Sequence, residues 1–126
     1  MKKIIKTSNA PSAIGTYSQA VVHNNVLYTS GQIPIDPETD KMLEDDFHKQ
    51  THQVFRNLQS IAIAANTSLQ NTLKLNIFLQ DLENFASLNE IMAQYFEEPY
   101  PARAAIQVAR LPKDSLVEMD AIIAIR

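Results

Sequence analysis

The chain has 126 residues, which is the usual size of one domain and enough to bury a hydrophobic core, so we expect a single domain over residues 1–126. It contains no cysteine, which excludes disulfides, thiolate metal sites and cysteine nucleophiles. Its formal net charge is −3 and its basic residues are scattered, so nucleic-acid binding is disfavoured.

The N-terminus lacks the pattern of a targeting segment. Two lysines stand at its start, but Lys6, Thr7 and Ser8 interrupt the apolar core that a signal peptide would need. No apolar run approaches the roughly 20 residues that a transmembrane helix requires. We therefore expect a soluble cytoplasmic protein.

The first predicted elements are two short strands followed by a loop. Residues 19–30 indicate a strand pair around a turn at His23-Asn24-Asn25, because asparagine tolerates left-handed backbone geometry. The segment 34–40 has the proline and aspartate content of a loop.

A helix and a strand are predicted next. Between residues 47 and 65, apolar residues recur at spacings of three and four, which is typical of one face of a helix. Asp45 or Asp46 is placed to cap its start, and Asn66 suits its end. Residues 73–79 then alternate between apolar and polar side chains, which predicts a strand.

The last third of the chain predicts a second helix and two more strands. Residues 85–96 carry an apolar stripe at helical spacing, and Pro99 and Pro101 would end that helix. Strands are expected at 104–109 and 117–125.

The predicted order is therefore ββ-α-β-α-ββ, an α+β fold in which two helices cover one face of a mixed sheet. One row of the last strand is assigned to the helix side: Val117, Met119, Ala121, Ile123 and Ile125. The opposite row is half apolar and half acidic: Glu118, Asp120, Ile122 and Ala124. Because a half-apolar face of this size is rarely left in water, we expect subunits to pack there.

The chain has only two glycines, Gly15 and Gly31, against the roughly nine that average usage would give. Glycine permits positive φ and a close approach of a ligand to the main chain, so both positions are candidate site residues. The alternative is that both simply form turns.

Two charged residues are candidates for chemistry. Arg103 begins a strand after two prolines, and a guanidinium binds a carboxylate through two parallel hydrogen bonds. Arg103 lies on the opposite side of its strand from Ile106 and Val108, and Glu118 lies opposite Val117 and Met119, so strand parity predicts that both charged residues point away from the core. If the last two strands form an antiparallel hairpin, the two residues lie close together. A structural ion pair at a subunit interface is the alternative reading.

Several other polar residues are weaker candidates. Tyr17, Ser30 and Asn89 offer hydrogen-bonding groups, but Ser30 lacks the sequence context of a nucleophile. His48 and His52 have the i, i+4 spacing of a metal pair without the glutamate of H-E-x-x-H or an evident third ligand, so we expect a pair of surface histidines.

Five features occur together in the order found in one family. They are GTYSQA (15–20), YTSGQI (28–33), Asn89, PARAAIQVARLPKD (101–114) and VEMD (117–120). The chain therefore resembles the RidA/YjgF family of enamine/imine deaminases over nearly its whole length. The resemblance implies a chorismate-mutase-like α+β fold and a homotrimer with active sites at the subunit interfaces. It also implies hydrolysis of 2-aminoacrylate and 2-iminobutyrate to 2-oxo acids and ammonia, with no cofactor and no metal.

The resemblance also assigns roles to residues. The family's substrate-carboxylate arginine falls on Arg103, and its water-directing glutamate falls on Glu118. Five further residues would line the pocket by side chain or backbone: Tyr17, Ser30, Gly31, Asn89 and Ala105.

Three positions depart from the family's frequent residues. Thr16 stands where many relatives have proline, Ala105 where many have cysteine, and Asp120 where glutamate is frequent. Two other functions remain open: a non-catalytic trimer that binds 2-oxo acids through the same arginine, and a ribonuclease or translation inhibitor, which the negative charge disfavours. A binding module needs Arg103 but has no need of Glu118.

Overall fold

The computed structural model describes residues 1–126. Its strands are, in chain order, β1 (Lys3–Ile5), β2 (Ala20–His23), β3 (Val26–Thr29), β4 (Ile35–Asp36), β5 (Lys41–Met42), β6 (Thr72–Leu79), β7 (Ala102–Gln107) and β8 (Val117–Ala124). The helices are α1 (Phe47–Ala64) and α2 (Phe85–Met92), and neither is long and apolar enough to cross a membrane.

Six strands form one mixed sheet in the order β1-β2-β3-β8-β6-β7, while β4 and β5 form a separate ribbon. Only β6 and β7 run parallel, and all other neighbours in the sheet are antiparallel. The segment β6-α2-β7 is therefore a crossover unit, in which the helix packs back onto the sheet between two parallel strands. The predicted α+β fold with two helices on one face of a mixed sheet is confirmed.

Local signals in the sequence placed one turn and both ends of α1 correctly. Asn24 and Asn25 have positive φ values of 50° and 60° and join β2 to β3. Asp46 caps α1, because its Oδ1 accepts a hydrogen bond from the backbone N–H of Lys49 at 3.1 Å. Asn66 leaves the helix with a φ of 61°. Each of these predictions depended on the backbone preference of a single residue, and each is confirmed.

Three features of the strands differ from the expectation. The N-terminal strand β1 was not predicted, because in three residues only Ile5 is buried and no alternation can be recognised. The segment 34–40, expected to be a loop, contributes β4 and the turn of the β4–β5 ribbon. Strand β7 starts two residues earlier than predicted, at Ala102, and nearly all of its side chains are exposed.

The alternation of β8 is confirmed. Its helix-side row within the strand is fully buried: Val117, Met119, Ala121 and Ile123. The other row faces the uncovered side of the sheet and is only half-buried. Strand register places further apolar side chains on this uncovered face: Ile4, Val21, Tyr28, Phe78 and Ile106. Ile106 and Ile4 are each 50% exposed, so this face presents apolar area to its surroundings.

The last two strands do not form a hairpin. β6 lies between β7 and β8, pairing parallel with the first and antiparallel with the second. The crossover through α2 assigns β7 to the outer edge of β6, and β8 fills the gap between β6 and β3. Arg103 and Glu118 are therefore not cross-strand neighbours.

Candidate active site

Arg103 lies on the helix side of the edge strand β7, against α2. Its Nη1 donates to Asn89 Oδ1 at 2.6 Å and approaches Met92 Sδ at 3.5 Å. Its Cζ lies 5.1 Å from the centre of the Phe85 ring, within the range of a cation–π contact. The expectation that Arg103 points away from the helices is therefore wrong.

The guanidinium is oriented but not neutralised. Only Nη1 forms hydrogen bonds within the chain, so Nε and Nη2 remain free to donate. The two ion pairs of the chain, Lys49–Glu44 and Arg110–Asp114, do not involve it. A guanidinium held by one nitrogen with its remaining donors open is prepared for a carboxylate. A cleft of about 380 Å³ lies beside it, walled by Asn89, Met92, Ala93, Tyr100 and Pro101.

The backbone of β7 adds donors beside Arg103. Val108 N–H donates to Leu79 O at 2.9 Å, which continues the parallel ladder between β7 and β6. Because successive peptide groups of a strand point to opposite sides, the even-numbered residues face β6, and the N–H of Ala105 points out of the open edge. Ala105 thus presents a main-chain donor on the edge strand, two residues beyond Arg103.

Glu118 occupies a second cleft, on the uncovered face of the sheet. Its carboxylate is half-buried and forms no ion pair or hydrogen bond within the chain. Burial raises the pKa of this carboxyl, and the negative charge of Asp120 raises it further. Asp120 is itself held by Asn76, whose Nδ2 donates to its Oδ1 at 2.8 Å. An unpaired carboxylate with a raised pKa in a cleft is a candidate general base.

The Glu118 cleft has a volume of about 460 Å³ and three walls: the segment from Pro11 to Tyr17, the loop 31–35, and Pro112 with Lys113. The loop is pinned to β8 by two hydrogen bonds between the backbones of Gln32 and Met119, at 2.7 and 3.2 Å.

The two glycines serve different needs. Gly15 has a φ of 117°, which a residue with a side chain rarely adopts. At Gly31, a Cβ would collide with Oε2 of Glu118 and lie 3.0 Å from its Cδ. Gly31 is thus required for the position of Glu118, and its own N–H makes no hydrogen bond within the chain.

Tyr17 and Ser30 lie on the same side as Glu118. Tyr17 lines the Glu118 cleft, is 52% exposed, and accepts a hydrogen bond at its hydroxyl from Ile14 N–H at 3.3 Å. Ser30 Oγ donates to the carbonyl of Ser18 at 2.5 Å, and no histidine contacts it. Ser30 therefore stabilises the loop beside Tyr17 and lacks the partner that would make it a nucleophile.

The predicted site residues thus form two groups. The arginine group consists of Arg103, Asn89 and the backbone of Ala105, and the glutamate group consists of Glu118, Tyr17, Ser30 and Gly31.

The two groups are far apart within one chain. Arg103 stands opposite Leu75 of β6 and Glu118 opposite Phe78, so they are separated by three residues along the sheet (78 − 75) and by two strands across it. At about 3.3 Å per residue and about 4.8 Å per strand, their Cα atoms are about 14 Å apart, and their side chains leave opposite faces.

Three residues near Arg103 were assigned only to an apolar stripe or a loop. Phe85 and Met92 contact its guanidinium, and Tyr100 walls its cleft. The spacing of Phe85, Asn89 and Met92 at i, i+4 and i+7 places all three on one helix face, and this signal was available in the sequence.

The histidines are not brought together as metal ligands. His52 Nδ1 lies 2.7 Å from the hydroxyl of Tyr95, at the packing of α1 against the end of α2, and burial lowers its pKa. His48 is exposed on α1.

The fold and these two groups define a Rid-type α+β domain with an arginine prepared for a carboxylate and an unpaired glutamate. Comparison with known proteins agrees. The sequence model of the family described as Endoribonuclease L-PSP matches residues 7–125. The chain therefore belongs to this family, which is the RidA/YjgF family.

Individual relatives match over nearly their whole length. A RutC family protein of Pyrococcus horikoshii is 48% identical, covering 97% of each chain. TdcF of Escherichia coli, whose name describes a candidate reactive intermediate deaminase, is 43% identical over 97% of this chain and 96% of its own. The crystal structure of RidA from an Antarctic Psychrobacter superposes with a TM-score of 0.94 at 50% identity, covering 98% of this chain and 99% of that one.

Proposed function

We propose that this protein is an enamine/imine deaminase that hydrolyses 2-aminoacrylate and 2-iminobutyrate to 2-oxo acids and ammonia. The observation that carries the proposal is the unpaired, half-buried carboxylate of Glu118, held against Gly31 in a chain that also offers a free guanidinium. A protein that only bound 2-oxo acids would need the arginine but not this acidic group. The name of the relative TdcF supports the same reaction class.

Arg103 binds and orients the substrate in this mechanism. The substrate carries a carboxylate next to its imine carbon, and the free Nε and Nη2 of Arg103 bind that carboxylate through two parallel hydrogen bonds. Asn89 fixes the guanidinium from the other side through Nη1. Holding the carboxylate fixes the position of the adjacent imine carbon, which lowers the entropic part of the barrier.

Glu118 handles the water and the proton. With the imine nitrogen protonated, the ionised carboxylate takes a proton from a water molecule while the water oxygen bonds to the imine carbon and the C=N π electrons move to nitrogen, which gives a neutral carbinolamine. Protonated Glu118 then returns the proton to the amino group, the C–N bond breaks and ammonia leaves. The carbonyl forms as the hydroxyl proton passes to the carboxylate of Glu118, which releases it to ammonia. A raised pKa suits a group that must accept a proton and then release it. 2-Aminoacrylate enters the same route as its imine tautomer.

The complete site is composed of two copies of the chain. A carboxylate and the neighbouring imine carbon are adjacent atoms, and they cannot contact two groups whose Cα atoms lie about 14 Å apart on opposite faces of one sheet. A ring of copies joins two different surfaces of the same chain, so the arginine group of one copy meets the glutamate group of the next. The apolar, half-exposed Ile106 and the uncovered sheet face supply a surface for such contacts. The family resemblance supports a ring of three copies.

Two other functions compete with this one. A regulatory trimer that binds 2-oxo acids would use Arg103 alone. The family description also names an endoribonuclease. The net charge of −3 and the absence of a basic cluster argue against RNA as the substrate.

A trapping assay separates these functions. A threonine dehydratase generates 2-iminobutyrate, and semicarbazide traps the imine that remains. We expect the wild-type protein to suppress trapping, Arg103→Ala to fail, and Glu118→Gln to bind 2-oxobutyrate in calorimetry without turnover. Undiminished trapping together with measurable 2-oxobutyrate binding would favour the regulatory trimer instead.

A further inference from the structure

One buried side chain holds the segment that walls the glutamate group. Gln19 is 3% exposed. Its Oε1 accepts from Thr7 N–H at 2.7 Å, and its Nε2 donates to the carbonyls of Thr7 at 2.9 Å, Pro11 at 2.8 Å and Ala10 at 3.3 Å. A single amide thus anchors the backbone at three successive points.

The segment 6–14 has few other anchors. None of its peptide groups takes part in a backbone–backbone hydrogen bond. The hydrogen bonds that join it to residues outside the segment end on Gln19 or on Tyr17. The strand before it, β1, has three residues and lies at the sheet edge. The course of this segment therefore depends on Gln19.

The segment in turn sets the position of Tyr17. Ile14 N–H donates to the Tyr17 hydroxyl at 3.3 Å, across the turn that Gly15 makes with its φ of 117°. Pro11 and Ile14 also wall the Glu118 cleft. A continuous path of contacts leads from the buried amide of Gln19 through the segment to the hydroxyl of Tyr17.

We infer that Gln19 is a positioning residue, which places the Tyr17 hydroxyl and the wall of the Glu118 cleft for the reaction. The expected effect on turnover rests on the proposed function, whereas the hydrogen bonds of Gln19 are independent of it. Gln19→Met keeps the side-chain volume and removes all four hydrogen bonds. The displaced Tyr17 hydroxyl would then lose about one hydrogen bond in the reaction, so kcat is expected to fall by about tenfold. KM should change less, because Arg103 binds the substrate carboxylate.

A double-mutant cycle tests the route through Tyr17. Tyr17→Phe and Gln19→Met should each lower kcat/KM. The double variant should be no less active than the less active of the two single variants, because both substitutions remove the correctly placed Tyr17 hydroxyl. Gln50→Met is the matched control: Gln50 is 0% exposed, donates to Glu44 O at 3.1 Å and accepts from Leu116 N–H at 2.9 Å. Its effect should add to that of Tyr17→Phe. Additive effects of Gln19→Met and Tyr17→Phe would overturn the inference.

A second measurement does not depend on activity. Amide hydrogen exchange at Thr7 and Ile14 should accelerate by about tenfold or more in Gln19→Met and remain unchanged in Gln50→Met. Unchanged exchange would overturn the inference even if the protein is a deaminase. If wild-type protein lacks deaminase activity, the proposed function fails while this exchange experiment still tests the positioning. Should Gln19→Met not fold, Gln19→Glu keeps the acceptor for Thr7 N–H, loses the donors, and enters the same experiments.

Discussion

A mixture of two inactive variants should regain about one quarter of the wild-type activity if Arg103 and Glu118 act across a subunit interface. In a cyclic assembly each site takes its arginine from one copy and its glutamate from the next. In a random 1:1 mixture of Arg103→Ala and Glu118→Gln, the arginine-donating copy is intact about half the time, and so is the glutamate-donating copy. The product is about one intact site in four, whatever the number of copies in the ring.

The recovery is large against the expected background. Arg103→Ala removes two charge-assisted hydrogen bonds, together worth about 3 kcal/mol, which is roughly a hundredfold in kcat/KM. Glu118→Gln removes the group that accepts the proton, and general base catalysis contributes about a hundredfold or more. Each variant alone should therefore retain about 1% of the activity, against about 25% for the random mixture.

The assay requires that the copies exchange. The two variants are unfolded together and refolded, or co-expressed with different tags and purified by both, and turnover of 2-iminobutyrate is measured by semicarbazide trapping. Purification by both tags leaves only mixed rings, and a mixed ring of three copies has about one intact site in three. The control replaces Glu118→Gln with the double variant Arg103→Ala/Glu118→Gln, which supplies no intact arginine in any arrangement. Co-purified mixed assemblies that remain at background would refute the composite site.

Three further outcomes follow from single contacts. Burial raises the pKa of Glu118, and the charge of Asp120 raises it further; Asp120→Asn removes that charge while keeping an acceptor for Asn76, so the acid limb of the kcat/KM profile should move to lower pH. An unmoved limb would contradict this coupling. Gly31→Ala should displace the Glu118 carboxylate and lower kcat by about a hundredfold while thermal unfolding still shows a folded protein; normal kcat would contradict the assigned contact. Asp46→Ala removes the cap of α1 and should lower the free energy of unfolding by about 1 kcal/mol in urea titration, with Asp45→Ala as the control that should change it little.

The success of sequence reasoning in β8 and its failure in β7 have one physical cause. In the first half of β8, Val117 and Met119 alternate with two acidic residues, so the buried row could be assigned from the sequence alone. β7 has the sequence ARAAIQ and is an edge strand with alanines on both faces, so its pattern does not indicate which face is buried. A parity counted from Ile106, the one large apolar residue of the strand, puts Arg103 on the wrong face, because Ile106 is 50% exposed and faces away from the helices.

Contacts between distant parts of the chain also could not be predicted from the sequence. The rarity of glycine marked Gly15 and Gly31, but the reason for Gly31 is a carboxylate 87 positions later in the chain (118 − 31). The resemblance to the family pointed to Arg103 and Glu118 as a pair, but strand order decides whether the two residues can meet within one chain. That order depends on which edge of β6 each later strand takes, and both arrangements satisfy the same local pattern.

The topology has a consequence for how such a site can vary. The crossover β6-α2-β7 places Arg103 beneath α2, and the insertion of β8 beside β3 places Glu118 on the other face. Because no local substitution can reverse strand order, the proposed site remains divided between copies. In the proposed mechanism, the cleft wall formed by Ala93 and Tyr100 bounds the space beyond the substrate carboxylate, whereas Glu118 directs the water. Substitutions at Tyr100 should therefore alter which imine side chains are accepted and leave the pH dependence set by Glu118 unchanged.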